Sequence, residues 1–104
     1  MQIEDDIEIL QSEIHLEIAQ ERKAQDDKFG INQLIKLTPH QCLSILVEEV
    51  GEMSAAINDC RFGIGKDSYE TELIQIAAVA IQSIVVARLQ RQSIEQPKTD
   101  DELC

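Results

Sequence analysis

The chain has 104 residues, 43% of them hydrophobic, with only 4 Gly and 2 Pro, a balance that predicts one domain of helices and excludes a strand-rich fold with many turns. A formal charge of −11 repels a phosphate backbone and excludes sequence-independent binding of DNA or RNA; a polyphosphate substrate meets the same repulsion unless a bound cation reverses the local sign. Cys42, Cys60 and Cys104 are odd in number and lack CxxC spacing, which argues against a disulfide framework and a zinc ribbon and for reduced thiols in a cytoplasm.

The N-terminus, MQIEDDIEIL, is acidic and has no long apolar core, so no export signal is read there and a cytoplasmic location is expected. From Ile3 to about Gln25, Ile3, Ile7, Leu10, Ile14 and Ile18 mark one stripe of an amphipathic helix, widened by Ile9 and Leu16. Glu4, Asp5 and Asp6 suit its positive end, and Arg22 and Lys23 its other end. Asp27 to Leu37, which contains Gly30, reads as a loop with a short helical turn.

Thr38-Pro39 opens a second long helix with a capping-box pattern completed by Gln41. It is expected from Pro39 to Asp59, with Leu43, Leu46, Val50, Met53 and Ile57 as its apolar stripe. After the loop Arg61 to Lys66, Asp67 or Ser68 can cap a last helix that runs to about Arg91.

Leu73 to Ala87 of that helix is apolar nearly all round, which demands burial on most sides. The run is judged too short and too interrupted for a membrane span, so association with further copies of the chain, as a homodimer or homotetramer, is expected to cover it. Residues 1–95 are thus expected to form the domain and 96–104 a disordered acidic tail.

Two clusters on these helices can carry chemistry. Glu48, Glu49 and Glu52 of the EEVGE segment share an arc of about 100°, and Gly51 adds about 1 kcal/mol of helix penalty to their mutual repulsion. A helix that carries both penalties in its middle suggests a compensating ligand, although an acidic solvated face is the plain alternative, above all for Glu48. On the last helix Glu72, Gln75, Val79, Gln82 and Val86 share one face. If that face meets the acidic side of the second helix, Glu49/Glu52 and Glu72/Gln75 present two oxygen pairs to one point, a donor set for Mg²⁺ or Mn²⁺. His15 and His40 have no partner ligands at metal spacing and are read as structural or surface residues.

The order Arg22-xx-Gln25-xx-Lys28-Phe29-Gly30, then Leu46-Val47-Glu48-Glu49-Val50-Gly51-Glu52, then Glu72-Leu73-Ile74-Gln75 followed by an Ala/Val run, resembles the MazG-like all-α nucleoside triphosphate pyrophosphohydrolases over about residues 19 to 90. The resemblance implies an all-α, MazG-like helical bundle completed by oligomerisation. It also implies Mg²⁺-dependent cleavage of a nucleoside triphosphate to the monophosphate and pyrophosphate. Glu49, Glu52 and Glu72 match metal-binding acids, and Glu48 matches an acid that binds metal indirectly or assists the attacking water. Gln75 departs from the family pattern, EExxE followed by ExxD, by standing where the Asp is found; its amide oxygen can still ligate a cation but brings no charge. Phe29, where the family commonly has Trp, can cover a base, Arg22 and Lys28 can offset phosphate charge, and Gln25 can hydrogen-bond a base or sugar. A nucleotide-sensing or protein-interaction module without turnover is the alternative, and the base, the sugar and an alarmone substrate all stay open.

Overall fold

A computed structural model describes residues 2–63 and 68–93, and among them every regular element is a helix. Helix α1 spans Ile3–Phe29, α2 Ile31–Leu34, α3 Pro39–Asn58 and α4 Tyr69–Ser93. The last helix is the centre of the fold, packed against α1 on one side and α3 on the other. Leu37, Pro39 and Cys42 lie by Val86 and Gln90, while Glu49 and Glu52 lie by Glu72, so α3 and α4 run antiparallel.

Helix α1 continues one turn beyond the expected end at Gln25. Arg22 pairs with Asp26 at 3.0 Å and Lys23 with Asp27 at 2.9 Å, and these i,i+4 contacts carry the helical register to Phe29. Gly30 then stops it: its φ of +81° lies where an L side chain is strained, and its N–H still closes on the Asp26 carbonyl at 2.9 Å. The short turn expected in the following segment is α2. Thr38 begins α3 with the full reciprocal cap, its Oγ1 accepting from the Gln41 N–H at 3.1 Å and its N–H donating to Gln41 Oε1 at 2.8 Å.

Helix α3 ends at Asn58, one residue before the expected end, in a Schellman arrangement. The Arg61 N–H donates to the Ala56 carbonyl at 2.8 Å and the Cys60 N–H to the Ile57 carbonyl at 3.0 Å. This motif normally places Gly in the left-handed position, and here Cys60 occupies it at φ +58°.

The packing face of α4 is the one its spacing predicts: Glu72, Val79, Gln82 and Val86 are buried and Gln75 is half-buried. On α3 the expected stripe is corrected. Leu43, Val50 and Ile57 are exposed, and Cys42, Ile45, Leu46, Glu49, Met53 and Ala56 face the fold. The small side chains Ala56 and Ala78, both fully buried, bring α3 and α4 close together and select that face over the one with the larger apolar side chains. The stripe on α1 is likewise exposed from Ile3 to Leu16, and α1 has no buried residue.

By length and composition α4 meets the requirement for crossing a membrane, which corrects the expectation that it is too short and too interrupted. A core helix flanked by two others passes the same test, and α4 holds Glu72 and Gln82 buried between its neighbours. Among the expected features, Asp67, Cys104 and the tail from Gln96 lie outside the described residues.

Candidate metal centre and cleft

The start of α4 is fixed before the first acid appears. Ser68 Oγ accepts from the Thr71 N–H at 3.2 Å and donates to Thr71 Oγ1 at 2.9 Å, as a Ser N-cap does. The Tyr69 N–H donates to the Arg61 carbonyl at 2.7 Å, and the Tyr69 ring meets Phe62 edge-on at 5.9 Å. These contacts set Glu72 in the first turn of α4, where it is only 4% exposed.

Across the interface, α3 presents Glu49 half-buried and Glu52 exposed. One carboxylate oxygen from each of Glu49, Glu52 and Glu72 falls within 4.8 Å of the others. Octahedral Mg²⁺ has bonds of about 2.1 Å, so its ligands lie about 3 Å apart when adjacent and about 4.2 Å when opposite. Rotation about the side-chain torsions of the glutamates closes the difference of up to about 2 Å, and hard carboxylate donors suit a hard cation. The three acids therefore fit a divalent metal.

The charge on this cluster has a measurable signature. Burial raises the pKa of Glu49 above its ordinary value of 4.5, and Glu52, Glu72, Glu48 and Glu21 push it further in that order. The Gln75 amide lies between two members of the cluster. With its nitrogen turned to them it donates to Glu72 Oε2 at 3.1 Å and to Glu49 Oε2 at 3.0 Å. That donation opposes the rise at Glu49, one bond against burial and four carboxylates. With the amide turned over, Oε1 takes the same place and four side-chain oxygens surround one point.

A cleft of about 410 Å³ opens beside the acids, lined by Gln25, Phe29, Glu48, Glu49, Val79 and Gln82 among others. Its size lies within the range of about 300–1,000 Å³ usual for small-molecule sites. The structure thus gathers Gln25, Phe29, Glu48 and Glu49 around one space. Phe29 is exposed, with the Lys28 ammonium 5.1 Å from its ring centroid.

Arg22 and Lys28 are not among the cleft's lining residues. The Arg22 side chain is 15% exposed and held by Asp26 at 3.0 Å, Gln25 Oε1 at 3.3 Å and Gln82 Oε1 at 3.4 Å. Its charge is compensated inside the fold, unlike the phosphate-facing arginine expected from the sequence. Two contributors were not assigned a role in the sequence: Gln82, which lines the cleft, and Glu21, which acts on Glu49. The shared face of Glu72, Gln75 and Gln82 was the signal for the first; for Glu21 only its place beside Arg22 and Gln25 was visible.

Comparison of the chain with protein-family models, with curated proteins and with solved structures yields no significant match.

Proposed function

We propose that the chain is a divalent-cation-dependent nucleoside triphosphate pyrophosphohydrolase that cleaves a ribo- or deoxyribonucleoside triphosphate to the monophosphate and pyrophosphate. The observation that carries this reading is the meeting of Glu49, Glu52 and Glu72 from two helices, within 4.8 Å, beside a cleft that also holds Phe29 and Gln25. The resemblance of the EEVGE and ELIQ segments to the MazG-like enzymes supports the same reaction. Glu49, Glu52 and Glu72 hold the cation, with Gln75 offering a neutral fourth ligand. Mg²⁺, or Mn²⁺, supplies in that position the charge that neutralises the triphosphate and lowers the pKa of a bound water. Glu48, exposed at the cleft, accepts the proton of the attacking water. Phe29 offers its open ring to the base.

Homodimerisation, or a homotetramer, belongs to the same proposal. Val47 is 59% exposed and Ile84 52%, and they stand with Leu43, Ile81, Val85 and Leu89 among the large apolar side chains left in solvent. Each costs about 1.5–3 kcal/mol relative to burial, a sum comparable to the stability of a whole domain.

Gln75 favours a second reading, a sensor that binds nucleotide with a cation and leaves it intact, because an uncharged ligand weakens the hold on the metal. Calorimetry with Mg²⁺ and a nucleoside triphosphate, followed by product analysis, separates the two. Binding with cleavage supports the hydrolase, binding of a nucleotide that stays intact supports the sensor, and no binding of either ligand overturns both.

A further inference from the structure

We propose that Gln82 is the specificity-determining residue of the cleft, a hydrogen-bond donor held by Arg22 so that it reads a carbonyl oxygen on the base of the bound nucleotide. The proposal rests on the nucleotide reading given above and names the chemistry of the base.

Gln82 is 5% exposed, yet it lines the cleft. An amide can face either way, but a guanidinium only donates, so the Gln82 atom 3.4 Å from Arg22 Nη1 is its oxygen. Arg22 lies outside the cleft lining, further toward the N-terminus of α1 than Gln25 and Phe29 and among His15, Ile18 and Asp26. The oxygen of Gln82 therefore points toward α1, and the nitrogen is the end left for the cleft. Among the described residues no protein acceptor takes that nitrogen.

Of the other two amides lining the cleft, Gln33 is exposed and held by no side-chain hydrogen bond among the described residues, and half-buried Gln25 is already committed. Gln25 Oε1 accepts from Arg22 Nη1 at 3.3 Å, and Gln25 Nε2 donates to Glu21 Oε2 at 3.2 Å. Gln25 was the expected reader of the base, but both its ends are engaged. Glu48 and Glu49 bring only acceptors, at the cation end. Phe29, Leu34 and Val79 supply apolar walls for a planar ring. A site with apolar walls and one oriented donor selects a ring that presents an acceptor, and it disfavours an amino group at the same position, where two donors would meet. Arg22 is the positioning residue: it fixes the amide and touches no ligand.

The test uses α,β-imido nucleoside triphosphates with Mg²⁺, in two pairs in which a carbonyl beside a ring N–H is exchanged for an amino group beside a bare ring nitrogen: the uridine and cytidine analogues, and the inosine and adenosine analogues. Binding is measured by calorimetry to the wild-type protein, Gln82→Glu and Gln82→Met, with helicity checked by circular dichroism. Gln82→Glu keeps an acceptor for Arg22 and deletes the donor; Gln82→Met has similar length and neither group. The wild-type protein should bind the carbonyl member of a pair about tenfold or more tightly, the cost of one unmade hydrogen bond. In both variants that ratio should fall to about one or invert. Arg22→Gln should relax the ratio while improving binding of the amino member; equal losses for both members would overturn its positioning role. A ratio unchanged in folded Gln82→Glu and Gln82→Met overturns the role of Gln82, as does a wild-type protein that binds both members equally, and either result leaves the nucleotide reading standing. A wild-type protein that binds none of the four analogues overturns both.

Discussion

With its amide nitrogen turned to the acids, Gln75 donates to Glu49 Oε2 at 3.0 Å and joins α4 to α3 within the acidic cluster. In the metal-free protein this bond holds together carboxylates that repel one another. Gln75→Glu replaces the donor by a fourth carboxylate, so without cation the variant should be less stable by about 1–3 kcal/mol. Saturating Mg²⁺ or Mn²⁺ should recover most of that loss, because the new carboxylate is a better ligand than the amide. Thermal melts with EDTA and with each cation check this; an equal loss under both conditions argues against a cation at this point.

The raised pKa of Glu49 sets a pH window. Glu49 in the folded protein holds its proton at pH values where the unfolded chain has released it. Its favourable contribution is therefore full below the ordinary value of 4.5 and is lost as pH rises through the raised folded value. Above that window the metal-free protein carries the repulsion in full. Glu49→Gln removes the titration, so in EDTA the variant should equal the wild type at the acid end and exceed it in stability above the window. Urea midpoints measured across the acidic range test the sign.

Ile84, 52% exposed on α4, tests the assembly without disturbing the protomer's own packing. The wild-type protein should sediment at twice or four times 11.7 kDa, and Ile84→Asp should dissociate or unfold it. A folded wild-type monomer at micromolar concentration contradicts the oligomeric reading.

Cys60 holds a left-handed φ of +58° at the end of α3. Gly adopts that conformation without a Cβ penalty, so Cys60→Gly should raise stability by about 0.5–1 kcal/mol, read as a higher urea midpoint with an unchanged slope.

Period and capping rules carried the reading of the helices a long way. Thr38 and Gln41 showed where α3 begins, and the sparse polar residues of α4 showed the face on which Glu72, Gln75 and Gln82 now meet α3 and α1. The spacing of Glu49 and Glu52 likewise placed two acids on one side of a helix, and the fold adds the third. The face of α3 was not legible, because large apolar side chains dominate a periodicity while Ala56 and Ala78 decide how closely two helices approach. Nor was the role of Arg22: its ties to Asp26 and Gln82 depend on helix α1 running on past Gln25 and on a residue 60 positions away. Local pattern reports which residues can share a face; which face a neighbour covers is a tertiary outcome.

Pyrophosphate release is the direct readout of the proposed cation on Glu49, Glu52 and Glu72 and of phosphoanhydride cleavage there. Wild-type protein and Glu49→Gln are incubated with each common ribo- and deoxyribonucleoside triphosphate, with Mg²⁺, with Mn²⁺ and with EDTA. Stoichiometric monophosphate and pyrophosphate should form from at least one substrate with a divalent cation and none in EDTA, and Glu49→Gln should lose turnover. A wild-type protein silent across the whole panel, or equal activity in Glu49→Gln, would contradict that proposal.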